Sequence, residues 1–325
     1  MRPLRFLLNG GPSGPLAGFF LAEAEGFFAR EGIAPVFLAG GGAAASIEDM
    51  DDATCDLAYG DMPALVARLG GAPEGTGPAA IFIGFNRTPL TIAVAADGPI
   101  RRPADLAGRR ISGHGRDAAL RALPALALRA GIDPAAVTII ADPASLADQA
   151  RRMLDEDAAD GVFGFANTII ASLEAAGLYA LVPRLHFLDY AEVLPELHGN
   201  ALVASRALLD DDPALLRGAL RAVCAGMAAA IAEPARAVVS LCASRPKLIP
   251  AVELRRLQGT IAREMAHPDR FALGLGDADP ARIAAGVDTI ADALRLPRRP
   301  QPGEVFTAAY LPARPARPWP VPGPG

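Results

Sequence analysis

Residues 4–39 read LRFLLNGGPSGPLAGFFLAEAEGFFAREGIAPVFLA, and this stretch decides the fold class. Leu4–Leu8 is an apolar run of the length of a buried strand. Asn9-Gly10-Gly11-Pro12-Ser13-Gly14 then breaks the run with turn residues. Ser13 can cap a helix, and Pro15 needs no hydrogen-bond partner for its nitrogen in the first turn. Leu16, Phe19, Phe20, Phe27 and Phe28 supply an apolar side at helical spacing as far as Arg30, where Gly32 can stop the helix. Val36–Leu38 is apolar again. Strand, turn, helix and strand in succession form the unit of an α/β protein with parallel strands.

The same alternation continues outward from this stretch. A helix is predicted across Ala43–Ala53, a strand at Leu57–Tyr59, a short helix at Pro63–Leu69, and strands at Ile81–Phe85 and Leu90–Ala95. A second unit begins near residue 96, with strands at Arg110–Ser112, Val137–Ile140, Gly161–Phe165 and near Tyr179–Val182, and helices between them. Asp-Pro pairs at Asp133, Asp142, Asp212 and Asp279 fit an N-cap followed by proline at the first helical position. After a strand at Ala201–Ser205 the chain reads as helical: Pro213–Ala232, Pro234–Ala243, Pro250–Ala266 and Pro280–Leu294. From Pro297 it is rich in proline and arginine, a composition that forms no core and predicts an extended or mobile tail.

Composition removes several function classes. Thirty-one basic against 36 acidic residues give a net charge of −5, which is no footprint for a nucleic-acid binder. No run of ~20 apolar residues predicts a membrane-spanning helix. Cys55, Cys224 and Cys242 are odd in number and lack CxxC spacing, so a disulfide framework is not expected. His114, His186, His198 and His267 form no HxxxH or HExxH pair, so no metal site is expected. The glycine-rich turn after Leu8 interrupts what would be the apolar region of an export signal, and the opening residues read as a strand instead.

Candidate chemistry lies at strand ends, because open parallel sheets bind ligands at their carboxyl edge. Asn9, Tyr59, Asp61 and Asn86 fall just past such ends. Gly113-His114-Gly115-Arg116-Asp117-Ala118 follows a strand, opens a helix and spells G-x-G-x-x-A, a weak form of the dinucleotide fingerprint. Backbone N–H groups at that helix start favour an anion or a polar ligand group, with His114 and Arg116 as further donors; a plain strand-to-helix turn is the competing reading. His114 and Asp117 come with no GxSxG elbow, and the acidic runs Asp155-Glu156-Asp157 and Asp210-Asp211-Asp212 match no calcium loop.

Gly18–Ile33 (GFFLAEAEGFFAREGI) resembles the N-terminal signature of the ABC-importer solute-binding proteins that handle nitrate, sulfonates and thiamine pyrimidines. Cys55–Asp61 is similar to that family's strand and ligand loop, and Ile100–Ile111 to its I-x-s-p-x-DL-k-Gk-x-i segment. Asn200–Ser205 with Pro213 and Glu233-Pro234-Ala235 resembles its return strand and following helices. The resemblance implies a type II periplasmic-binding-protein-like fold: two α/β lobes with largely parallel sheets, joined by two crossovers, with a ligand clamped between them. Lobe 1 is expected at 1–94 and 200–296, lobe 2 at 95–199 and the tail at 297–325, with crossovers near Ala93–Ala96 and Leu197–Asn200.

Carried over by position, the ligand-binding candidates are Asn9, Tyr59, Asp61, Asn86, Gly113, His114, Arg116, Asp117, Asn167 and Tyr190. The mixture of amides, carboxylates and aromatics suits a small heteroaromatic solute, with Tyr59 as a stacking face; Arg116 keeps a sulfonate or nitrate-type anion as the alternative. The resemblance also implies permease and ATPase partners, a monomer, no cofactor and no catalysis. It implies a periplasmic location and an export signal, and the lack of an apolar signal region keeps a cytoplasmic location open. A related enzyme on this fold makes the thiamine pyrimidine from a lysine-bound pyridoxal phosphate and a histidine. Here Lys247, in the late helical region, is the sole lysine, so an enzyme or sensor on the same fold stands second.

Overall fold

The computed structural model describes residues 1–51 and 53–320. Ten strands form two five-stranded sheets. The first contains β1 (Arg2–Leu8), β2 (Ile33–Ala39), β3 (Leu57–Asp61), β4 (Ala79–Ile83) and β10 (Asn200–Ala204), in the order β2-β1-β3-β10-β4. The second contains β5 (Leu90–Ala95), β6 (Arg110–Gly113), β7 (Thr138–Ala141), β8 (Gly161–Phe165) and β9 (Leu185–Asp189), in the order β7-β6-β8-β5-β9. In each sheet four strands run one way. The strand entered on arriving from the other sheet, β5 or β10, runs antiparallel between two of them. The α/β expectation therefore holds, with one antiparallel strand per sheet.

In the first lobe the helices are α1 (Ala17–Ala24), α2 (Phe27–Arg30), α3 (Ala43–Glu48) and α4 (Met62–Gly70). The second lobe has α5 (Ala118–Arg121), α6 (Leu123–Ala130), α7 (Leu146–Glu156) and α8 (Ala166–Ala175). After β10 come α9 (Arg206–Asp211), α10 (Pro213–Ala232), α11 (Pro234–Ser244), α12 (Pro250–Thr260), α13 (Arg270–Leu273), α14 (Pro280–Leu294) and α15 (Pro302–Val305). Asp61, Asp117, Ser145, Ser205, Asp212 and Asp279 each accept a backbone N–H at a helix start, which is why these helices begin where they do. Contrary to the sequence expectation, α10 has the length and apolarity of a membrane span, but most of it is buried against α1 and α11 in the core.

Three further expectations are corrected. The helix at Pro250–Ala266 passes into a π turn at Ile261–Met265. Tyr179–Val182 lies in a 3-10 helix containing Pro183, and the strand starts only at Leu185. The first crossover does not lie at 93–96: β5 pairs with β8 and β9, so residues 90–95 belong to the second sheet and the chain changes lobe at 84–89. The strand was legible, but its partners depend on long-range pairing.

The two crossovers run side by side and bond to each other. Gly84 and Phe85 donate to the Asn200 carbonyl, Gly199 donates to Phe85, and Thr88 to Leu197. Gly199 is required by close approach, because a Cβ there would lie 2.6 Å from Pro89 Cδ. From α14, Arg282 donates to the carbonyls of Asn86, Pro195 and Leu197, so one guanidinium pins both crossovers. Arg282→Met leaves these carbonyls without that donor. The bond to Pro195 is exposed, those to Asn86 and Leu197 are half-buried, and Leu197 keeps the Thr88 N–H, so urea melts are expected to show a loss of about 1 kcal/mol, the lower end of the cost of an unpaired acceptor.

The described part of the tail, residues 297–320, packs onto the body of the protein. The Thr307 N–H donates to the Ala80 carbonyl, Trp319 packs against the core, and the Arg317 side chain is buried. The last residues, 321–325, lie outside the described part.

Candidate functional site

The facing edges of the two sheets carry a buried polar layer. Asp61 ends β3, is 1 % exposed, and accepts the Ala64 N–H through Oδ2 as the N-cap of α4. Its Oδ1 has no partner among the described residues. Burial pushes this carboxyl up to about 8, against the Ala64 bond, and the charge of Asp117 raises it further. Asn200, the first residue of β10, is directly opposite Asp61 in the antiparallel pair. Paired residues project from one face of a sheet. Asn200 is fully buried, and neither polar atom of its side chain has a partner among the described residues. In the second lobe, Asp117 accepts the Ala119 and Leu120 N–H groups through Oδ1. Burial raises its carboxyl as well, opposed by those two bonds. Thr91 Oγ1, at the start of β5, is a further buried atom without a described partner.

A second polar cluster joins α8 to the π turn. Asn167 Nδ2 donates to Glu264 Oε1 at 2.8 Å, and the Glu264 carboxyl is raised by burial. Arg256 reaches Thr168 Oγ1 at 3.2 Å, while its Nε stays unpartnered among the described residues. A Cβ at Gly259 would collide with Asn167, so glycine lets the two lobes approach here. At the mouth of the cleft Arg116 bonds Glu48 and Asp49 of α3 and the residue after it, and Arg121 bonds Glu48. Beside this mouth a groove of about 920 Å³ runs between α4, α5, α6 and α14. Its lining is largely apolar and includes Ala64 and Leu120, the residues whose N–H groups Asp61 and Asp117 cap.

Several sequence candidates sit differently from the expectation. Tyr59 offers no stacking face: it is 1 % exposed and packs edge-on against Phe19 and Phe85 inside the first lobe. Tyr190 is fully buried, with its hydroxyl donating to the Ala119 carbonyl. Asn86 donates to Met265 and lies in a crossover. The N–H groups at the start of α5 that favoured an anion are occupied by Asp117 itself. Arg116 is paired twice over with carboxylates. Gly113 ends β6 against Phe163, His114 is exposed, and Asn9 is half-buried after β1. Sequence reading missed Asn200, Glu264, Arg256 and Thr91. Only the register of β10 against β3 reveals Asn200 as the neighbour of Asp61.

A lysine-bound pyridoxal phosphate would need a lysine in the cleft. Lys247 lies exposed on the turn between α11 and α12, so the residues present do not fit that group. Among the described residues no group of three or more His, Cys, Asp or Glu could hold a metal ion.

Residues 15–237 match the family described as NMT1/THI5 like. No curated protein sequence matches the chain. Among solved structures, the chain is similar to the alkanesulfonate-binding protein SsuA from Xanthomonas axonopodis pv. citri bound to MOPS. The TM-score is 0.67 at 16% identity, covering 94% of this chain and 98% of that one. It is also similar to the periplasmic aliphatic sulphonate binding protein SsuA from Escherichia coli, with a TM-score of 0.68 at 14% identity, covering 100% and 94%. A third likeness is to the desulfurization enzyme DszB, as a point mutant in complex with biphenyl-2-sulfinic acid, with a TM-score of 0.61 at 14% identity, covering 95% and 97%. At these identities the likenesses establish the fold, the two-lobed one of periplasmic binding proteins.

Proposed function

This chain belongs to the NMT1/THI5-like family, and from that premise we propose that it is the solute-binding component of an ABC importer, closing two lobes on a small organic solute with hydrogen-bonding edges. The observation that carries the reading is the set of buried polar atoms without described partners where the sheet edges meet: Asp61 Oδ1 and both atoms of Asn200 in one lobe, Thr91 Oγ1 in the other. Buried polar groups are ordinarily satisfied, and leaving one unpaired costs about 1–3 kcal/mol, so a layer of them marks a place that a ligand completes. The reading carries with it permease and ATPase partners and a periplasmic location. It includes the pyrimidine-like heteroaromatics, with Asp61 and Asn200 binding the ring's edge rather than Tyr59 its face.

The sulfonate-binding neighbours favour a second reading, an anionic solute. Against it stands Arg116, whose charge is already met by Glu48 and Asp49. The DszB likeness keeps catalysis as a third outcome. Thermal shift with a panel of heteroaromatic bases, sulfonates and nitrate tests the proposal. A ligand present at a hundredfold its Kd adds about 2.7 kcal/mol. Binding should also alter the small-angle scattering of any open population, and the ligand should be recovered chemically unchanged. Turnover of a bound solute, or a panel without a single stabilising member, overturns the assignment.

Arg116→Ala tests the closure. Each half-exposed ion pair is worth about 0–1 kcal/mol, so global stability should barely change. The lobes lose a bridge at the mouth, however, and the variant without ligand is expected to have a larger radius of gyration. A parent-like radius would mean that this pair does not hold the lobes together.

A further inference from the structure

We infer that the solute is an organic cation, an ammonium or amidinium, held between Asp61 of the first lobe and Asp117 of the second, with Asn200 bonding its edge. The inference rests on the clamp reading and names its ligand class. The two carboxylates come from opposite lobes, and each lends only part of its bonding capacity to a helix start. Asp61 Oδ1 is buried and, among the described residues, unpartnered. Among the described residues no hydrogen bond reaches Asp117 Oδ2. Asn200, opposite Asp61 in register and wholly buried, adds one acceptor and two donors without described partners.

The charge balance supports the same class. Arg116 and Arg121, the arginines beside this pair, are engaged by Glu48 and Asp49; the exposed His114 is the other basic side chain that acts on Asp117, and among the described residues neither Asp61 nor Asp117 forms a salt bridge. Asp61 is buried and Asp117 half-buried; two carboxylates brought together in this way repel each other once ionised, and a cation between them turns that repulsion into attraction from both lobes. The adjoining groove, lined by Pro63, Ala67, Pro124 and Ile290, gives an apolar body room beside the charged head. An anion placed here would face both carboxylates.

The experiment uses probes that share one ring and differ in charge: benzamidine, its neutral analogue benzamide, and benzenesulfonate, with butylammonium as a non-aromatic cation. Calorimetry on the full chain at pH 7 is expected to show binding of benzamidine or butylammonium, at least tenfold weaker binding of benzamide, and no binding of benzenesulfonate. Binding should release close to one proton, seen as a dependence of the heat on buffer, because Asp61 must ionise to meet the cation. Asp61→Asn and Asp117→Asn keep the helix caps, since Asn and Asp cap alike. Both variants should fold and bind the cation at least tenfold more weakly, without the proton release from Asp61→Asn.

Binding of benzenesulfonate in preference to the cations overturns the inference and leaves the solute-binding reading standing. Failure of both cations overturns the inference too; the broad solute panel then decides separately whether the clamp reading survives. Cation binding unchanged in both variants would place the cation elsewhere and defeat the assignment.

Discussion

Asp61→Asn is expected to make the unliganded protein more stable at pH 8.5 while weakening its binding of solute. The Asp61 carboxyl is pushed up to about 8 in the folded protein, from an ordinary value of 3.8, chiefly by burial. The folded state therefore holds this proton more tightly than the unfolded chain. Its contribution to stability is complete below pH 3.8 and is lost as pH rises through 8. At ~1.4 kcal/mol per unit, the loss between pH 5 and 8 is on the order of 4 kcal/mol. Asn at this position caps α4 equally well and carries no charge. Urea melts at pH 5 and 8.5 should show the parent falling much more steeply than the variant, with a gap of at least ~2 kcal/mol at the higher pH. Asp117, Glu23 and Glu264 are also raised by burial, so a common slope remains in both proteins. Equal slopes would mean that Asp61 is ionised in the folded state and already has a cation of its own.

The second large effect concerns the tail. Arg317 is 6 % exposed. Its Nη2 bonds Asp277 at 2.7 Å, Nε donates to the Pro312 carbonyl, and Nη1 donates to the carbonyls of Leu273 and Leu275. Arg317→Ala takes the ion-pair partner from the half-buried Asp277 and the side-chain donor from three carbonyls, of which that of Leu275 is buried. Breaking a buried pair by removing one partner costs about 3–5 kcal/mol. The urea midpoint should fall accordingly, whereas Arg314→Ala, on an exposed neighbour in the same segment, should stay within ~0.5 kcal/mol. A parent-like midpoint for Arg317→Ala would restore the mobile tail that proline-rich composition suggests. The geometry favours the strap, because the Arg317 carbonyl also accepts the Leu275 N–H at 2.9 Å.

Alternating apolar runs and turn residues were enough to place nine of the ten strands to within a few residues, since a strand or helix announces itself through local spacing. The cap residues Asp212 and Asp279 were legible for the same reason, since a cap acts on N–H groups two or three residues away, whereas Asp142, read the same way, gives place to Ser145 as the cap of α7. Family resemblance in short segments then gave the two-lobed order. It put candidates at the right strand ends, but it could not say which way each side chain turned. Tyr59 and Asp61 both end on β3, yet one is sealed among Phe19 and Phe85 while the other keeps an oxygen without a described partner.

What the sequence by itself determined was therefore the class of fold, the position of most elements and two of the acids that matter, because each follows from interactions within a few residues. Tertiary structure decided the rest. Pairing of β5 with β8 and β9 moved the crossover, and the register of β10 set Asn200 against Asp61. Contact between lobes spent the charge of Arg116 on Glu48 and Asp49. Each of these depends on which distant residues burial and hydrogen bonding bring together, and no local spacing encodes that.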